Sequence, residues 1–176
     1  SERQPDYIQI TKSGYIVKWY IKQEEIGNYM KTNHCIIGAD TSEAVNRDAT
    51  SFIVINVTTL ETVAAVSICE ADVIKLADFL VEFMVAFPRT TLIIEHKSTG
   101  GTFIETLYNK LPLHGIDPFR RMYNTIVQEK DKNPELFKEL VAPGKRNTYF
   151  YTRNKKKFGF NQTGGTRHLL YKEVLQ

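Results

Sequence analysis

The chain lacks the features that mark several protein classes. No apolar run approaches the roughly 20 residues of a membrane-spanning helix, and Ser1 to Gln4 lack the apolar core of a signal peptide. No Walker A sequence occurs, so the chain is not itself a P-loop motor. Its two cysteines, Cys35 and Cys69, have no C-x-x-C or histidine spacing, which favours buried reduced thiols over a disulfide or zinc site. We therefore expect one intracellular globular domain spanning residues 1–176, with no membrane partner.

Acidic residues are absent between Gly144 and Lys172, although the chain has 20 in all. Aromatic residues are interleaved with the basic ones in this segment. Such segregation of charge is typical of a surface that binds a polyanion, and the alternative is a solvated basic hairpin whose aromatic residues are core. The eight basic residues are Lys145, Arg146, Arg153, Lys155, Lys156, Lys157, Arg167 and Lys172.

The first half of the chain reads as strands joined by short connections. A hairpin turning at Lys12–Gly14 opens it, and residues 1–30 are interpreted as a hairpin extension of the domain. Three apolar strands follow, and their short connections predict an antiparallel meander. The predicted strands are Tyr7–Ile10, Tyr15–Ile21, Asn33–Asp40, Ser51–Val57 and Thr62–Cys69.

The second half alternates helices with strands. Helical spacing of apolar residues predicts helices that end near Pro88 and Pro112, and Asp117-Pro118 predicts a further helix start. Two late strands would form a basic C-terminal β-hairpin. The predicted elements are a helix from Asp72, a strand at Thr90–Glu95, helices at Ser98–Leu111, Asp117–Ile126 and Asn133–Val141, strands at Arg146–Tyr151 and Lys157–Phe160, and a helix opening after Gly165.

Carboxylates stand where two of these strands end. Asp40 closes the first meander strand, Asp48 follows it by a short loop, and Glu95 closes the strand Thr90–Glu95. Adjacent parallel strands bring their carboxyl ends together, and carboxylate oxygens are the ligands that Mg²⁺ and Mn²⁺ prefer. The pattern predicts a divalent-metal site with Asp40 and Glu95 as ligands and Asp48 as a further catalytic acid. Lys97 could contact a phosphate beside it.

Each acid also has a plain structural interpretation. Asp40 could be a turn or helix-capping carboxylate, Glu95 could pair with Lys97 or Arg89, and Asp48 could pair near Arg47. A sugar-kinase-type ATPase needs a glycine-rich hairpin after the first strand, which is absent here. A calcium loop fails because positions 42, 44 and 45 are Ser, Ala and Val.

The order of the elements is that of the ribonuclease-H-like fold, and three motifs resemble one family that has it. The segments Ile36–Glu43 followed by Asp48, Leu92–Gly101, and Phe158–Arg167 are similar to the nuclease domain of large terminase subunits. These are the DNA-packaging proteins of tailed bacteriophages. The similarity covers about residues 7 to 176.

The resemblance implies an endonuclease that cuts concatemeric viral DNA by two-metal hydrolysis, with Asp40 and Glu95 as metal ligands and Asp48 at a second acidic position. It implies double-stranded DNA as substrate, and as partners an upstream ATPase domain, the portal and the small terminase subunit, in the host cytoplasm. The family's third acid has no counterpart before Gln176. We therefore expect a domain truncated before its last helix and weak activity from this chain alone.

Two other functions fit the same residues. The runner-up is a non-catalytic DNA-binding or portal-docking module of the packaging motor, and nuclease assays with and without Mn²⁺ separate it from the enzyme. A transposase or junction resolvase of the same fold is third, and it would cut DNA of a particular structure. For the endonuclease, the DNA contacts are predicted to come from the basic residues Lys97, Arg153, Lys155, Lys156, Lys157 and Arg167.

Overall fold

A computed structural model of the protein describes residues 3–40, 50–68, 73–94, 100–127 and 148–159. Six strands and five helices lie in these ranges, together with two short 3-10 turns at 111–114 and 155–157. The strands are β1 (Tyr7–Ile10), β2 (Ile16–Trp19), β3 (Cys35–Asp40), β4 (Thr50–Asn56), β5 (Thr62–Ile68) and β6 (Thr90–Ile93). The helices are α1 (Gln23–Thr32), α2 (Val73–Ala86), α3 (Gly100–Lys110), α4 (Pro118–Arg121) and α5 (Thr148–Asn154).

The strands form one mixed sheet in the order β1-β2-β5-β4-β3-β6. All neighbouring pairs are antiparallel except β3 and β6, which run parallel. A mixed α/β fold with a six-stranded open sheet and flanking helices is thereby confirmed, as are the N-terminal hairpin and the meander. The hairpin extends the sheet beyond the meander because β2 pairs with β5.

One face of the sheet carries the main hydrophobic core. On β2, Val17 and Trp19 are buried while Ile16 and Lys18 are exposed, the alternation of a strand with one face covered. Helix α2 packs on the covered face through apolar residues three and four apart, including Phe79, Leu80, Phe83 and Met84. Helix α3 packs beside α2. Within the described ranges, no helix is long and apolar enough to cross a membrane.

Helix α1 is absent from the sequence-based prediction. Only Ile26 and Met30 are buried in its ten residues, so its apolar periodicity is weak. Met30 packs against the next strand, with its sulfur 4.0 Å from the Cys35 sulfur. Acidic residues in its first turn and Lys31 in its last turn complement the helix dipole. This charge pattern is the feature of the sequence from which the helix could have been predicted.

The predicted basic β-hairpin is wrong in its described part, because Thr148–Asn154 is helical and a 3-10 turn follows at 155–157. Phe150 and Tyr151 are both buried although they are neighbours, whereas Tyr149 is 70% exposed. A strand would place adjacent side chains on opposite faces, so only a helix buries both. Asn154, one turn after Phe150, is buried on the same side and donates a hydrogen bond to the Phe150 carbonyl.

The helix predicted from Asp117 to Ile126 is correct at its start and wrong at its end. The Asp117 carboxylate accepts a hydrogen bond from the Phe119 amide at 3.0 Å, as an N-cap does. The helix then ends at Arg121, because Met122 is extended and pairs with Leu92 of β6. The buried Asn124 amide supports this exit by donating to the carbonyls of Phe119 and Met122. The helices predicted at 133–141 and after Gly165 lie outside the described residues.

The edge of the sheet where β3 and β6 begin holds a partly buried pair of basic residues, Arg121 and His34. Arg121 donates hydrogen bonds to the carbonyls of Met84, Phe87 and Thr90, tying the end of α2 to β6. His34 lies beside it, with Nε2 2.8 Å from the Thr91 hydroxyl. Burial lowers the pKa of His34 below its ordinary value of 6.5, and the positive charges of Arg89 and Arg121 lower it further.

This pKa shift predicts a stability loss in mild acid. Because the folded protein disfavours protonated His34, unfolding takes up a proton, and the stability present above about pH 6.5 falls as the pH drops through the lowered folded-state pKa. A His34→Gln variant should lack this contribution. Urea unfolding at about pH 7 and about pH 5 measures it, and an equal pH dependence in both proteins would contradict the prediction.

Candidate metal and DNA site

The described residues include one of the three predicted acids and four of the six predicted DNA contacts. Asp40 is the last residue of β3, and its backbone is described. Asp48, Glu95, Lys97 and Arg167 lie outside the described ranges. Arg153, Lys155, Lys156 and Lys157 lie at the end of α5 and in the turn after it.

Asp40 belongs to a row of residues that crosses the sheet. It pairs with Ser51 of β4, and Ser51 pairs with Ser67 of β5. On the other side β3 runs parallel to β6, with Gly38 opposite Ile93. Asp40 follows Gly38 by two residues, so it stands at the edge of the sheet where β3 and β6 both end. This is the edge at which the acids were expected to converge.

The basic turn lies beyond the far side of β6. Met122 pairs with Leu92 in parallel, and Asn124 pairs with Phe158 in antiparallel orientation. The Thr125 amide, one residue further along, donates to the Lys157 carbonyl at 2.8 Å. The Met122–Asn124 segment therefore lies on the side of β6 away from β3, and the turn at 155–157 packs against that segment.

Helix α5 is held in place by aromatic packing. Phe158, which is fully buried, contacts the rings of Tyr108, Phe119 and Tyr151 at centroid distances of 5.1 to 5.6 Å. Burial, assisted by the negative charge of Glu105, raises the pKa of Tyr151 to about 12, so its phenol stays protonated at neutral pH. The aromatic residues of this segment are thus mostly core, as the plainer sequence interpretation held.

Positive charge covers the outer side of the same segment. Arg153, Lys155 and Lys156 are exposed, and Lys157 is partly exposed. The Arg153 guanidinium lies 5.5 Å from the centre of the exposed Tyr149 ring, a cation–π distance. No acidic residue occurs between Thr148 and Gly159. A concentration of positive charge of this kind attracts polyanions in general.

The donor set suits a hard divalent cation, because the predicted ligands are carboxylates at a strand end. Among the described residues, no three His, Cys, Asp or Glu side chains are grouped as metal ligands. Asp48 and Glu95 are not among the described residues. The predicted reduced thiol is confirmed for Cys35, which is buried and unbridged, and burial raises its pKa to about 11. Cys69 lies outside the described ranges.

Sequence reasoning missed Ser51 and Ser67, which share the row of Asp40. Their position follows from the register of β3, β4 and β5, which local sequence patterns do not specify. No protein-family model matches the chain, and no curated protein is significantly similar to it.

Proposed function

We propose that this chain is a Mg²⁺- or Mn²⁺-dependent DNA endonuclease of ribonuclease-H-like fold, acting as the nuclease domain of a large terminase subunit. The observation that carries the proposal is the parallel pairing of β3 with β6, which brings the Asp40 end of β3 to the end of the strand that leads to Glu95. Neighbouring strands lie about 4.8 Å apart. Glu95 follows Ile93 by the two residues that separate Asp40 from Gly38. This spacing suits two carboxylates that share one ion.

The strand order supports the fold assignment. Across the sheet, the strands lie in the order β5-β4-β3-β6, and Met122 pairs in parallel with Leu92 on the far side of β6. If β3 is counted as the first strand, this is the order 3-2-1-4-5 expected for a ribonuclease-H-like sheet. Helix α3 begins at Gly100, seven residues after β6 ends. The N-terminus of a helix favours an anion, so the start of α3 suits a phosphate.

Each group would contribute a distinct part of the chemistry. A bound divalent ion would activate water and stabilise the leaving 3′-oxygen of a phosphodiester. Asp40 and Glu95 would hold the ion, and Asp48 would add a further carboxylate. Arg153 and the lysines at 155–157 would neutralise neighbouring phosphates and fix the duplex against the sheet edge. In the packaging motor, an upstream ATPase domain would drive translocation, and the portal and small terminase subunit would be its partners.

A supercoiled-plasmid assay tests the activity, since one nick per molecule is enough to change the mobility of the plasmid. We expect the purified chain to nick plasmid DNA slowly with Mn²⁺, as a domain without the family's third acid would, and to leave it intact with EDTA. Absence of nicking at saturating Mn²⁺, with DNA binding retained, would favour the non-catalytic DNA-binding or portal-docking module. The exposed cations of the α5 segment support that second function as well as the first.

The basic turn predicts a measurable loss of DNA affinity. Replacing Lys155, Lys156 and Lys157 by Gln removes three positive charges, so the salt dependence of duplex binding should fall by about 2 to 3 units of log–log slope. Binding should weaken alike for all sequences. Fluorescence anisotropy across a salt series measures both quantities. An unchanged slope would assign these lysines to solvent or to a protein partner.

A further inference from the structure

The face of the sheet opposite α2 and α3 carries an open groove of about 710 Å³. Its floor is formed by β2, β5 and β4, where Ile16, Ile53 and Ala65 supply apolar surface. Ser51 and Ser67 line one end, and Lys18 and Arg3 supply positive charge. A volume of this size is that of a ligand pocket, about 300 to 1,000 Å³.

The groove begins beside the proposed metal site. Ser51, which lines it, is the direct partner of Asp40. Lys18 pairs with Ala65, and Ala65 pairs with Ile53, so these three residues form a second row across the sheet. This row lies two residues from the row of Asp40, further from the carboxyl end of β3. Side chains two residues apart on a strand lie on the same face. A chain molecule leaving the Asp40 end of β3 can therefore run along the groove towards Lys18.

The charges of the groove suit a phosphate backbone. Lys18 is exposed, and none of the described acidic side chains pairs with it. Arg3 lies over the Tyr20 ring at 5.5 Å, donates to the Tyr20 carbonyl and pairs with the Asp6 carboxylate at 3.6 Å. Its charge is partly neutralised by this pair, so Lys18 is the main cation of the groove. Glu61 is the single acidic residue among the lining residues. Hydroxyl groups and an apolar floor complete a surface suited to phosphates, sugars and base faces.

We propose that this groove binds one single strand of DNA that continues from the cleavage site. The proposal rests on the proposed nuclease function, and it adds a strand path that the basic α5 segment does not provide. A volume of this size suits a few nucleotides of a single strand. The apolar surface continues from the groove along the hairpin through Ile16 and its strand partner Ile10, which are 49% and 74% exposed. Unstacked bases can lie against such a surface.

The test compares two exposed lysines in the full chain. Lys18→Gln should weaken binding of a labelled single-stranded oligonucleotide about three- to fivefold and lower the salt slope by about 0.7, the values for one phosphate contact on a single strand. Lys31→Gln on α1, the matched control, should change neither quantity. The assay is fluorescence anisotropy in EDTA, so no cutting occurs. Equal behaviour of the two variants, or an equal loss on blunt duplex DNA, would overturn the proposal.

A second variant keeps the test valid if Lys18→Gln folds poorly. Ser67→Glu adds a negative charge at an exposed groove position, and it should weaken single-strand binding at least as much. Plasmid nicking separates this proposal from the nuclease function. If the protein does not nick but Lys18→Gln selectively weakens single-strand binding, the groove proposal holds and the nuclease proposal is rejected. If the protein nicks and Lys18→Gln binds DNA like the control, only the groove proposal is rejected.

Discussion

Replacing Asp40 by Asn should reduce Mn²⁺-dependent nicking at least about 100- to 1,000-fold. Asn keeps the size of the side chain and removes the charge that holds a divalent ion, so the developing charge in the transition state loses its main stabilisation. The backbone of β3 pairs on both sides, with β4 and β6, and does not depend on the carboxylate. The fold and DNA binding in EDTA should therefore persist.

Glu24→Gln provides the control for this loss. Glu24 is an exposed carboxylate in the first turn of α1, and its replacement removes the same charge from the protein. It should nick at the wild-type rate. Initial nicking rates of the two variants, measured at equal Mn²⁺, decide the role of Asp40. Equal rates in both would show that the Asp40 carboxylate is not a ligand.

Replacing Trp19 by Ala should lower the free energy of unfolding by about 3 to 5 kcal/mol. Trp19 is fully buried and lies parallel to the Phe83 ring at 5.9 Å, with Phe87 against its edge at 5.5 Å. Its indole nitrogen donates to the Gln9 side chain at 2.9 Å. The residue therefore joins the hairpin to α2, and its removal leaves a large cavity between them.

Ile10→Ala is the matched control on the same hairpin. Ile10 is 74% exposed, so its truncation should change the free energy of unfolding by no more than about 0.5 kcal/mol. Urea unfolding followed by circular dichroism measures both variants, since tryptophan fluorescence is lost in one of them. A cost below about 1 kcal/mol for Trp19→Ala would show that the hairpin is not part of the cooperative core.

The sheet was predictable because its strands are short apolar segments punctuated by turns. The periodicity within Val73–Ala86 likewise specifies α2, since its seven buried residues recur three or four positions apart. The parallel pairing of β3 with β6 was expected from the ribonuclease-H-like order of the elements, in which a meander of three strands is followed by a helix and a parallel strand. These elements could be predicted because local hydrophobic patterns specify the strands and α2, and the order of the elements specifies the pairing of β3 with β6.

The errors arise where tertiary contacts override local pattern. Thr148–Asn154 is rich in β-forming aromatic residues, yet two adjacent rings are buried together against Tyr108 and Phe119, and only a helix allows this. Met122 continues a helical apolar period, but the open edge of β6 offers a backbone partner at Leu92. The groove depends on register across β2, β5 and β4, which no single segment encodes.

The central claim is that Asp40 and Glu95 bind one metal ion, and a double-mutant cycle of Mn²⁺ affinity tests it most directly. Mn²⁺ binding would be measured by electron paramagnetic resonance for the wild type, Asp40→Asn, Glu95→Gln and the double variant. A shared ion predicts that each single substitution weakens the site strongly and that the second adds little to the first. Binding losses that simply add, or Mn²⁺ affinity that neither substitution changes, would contradict the account.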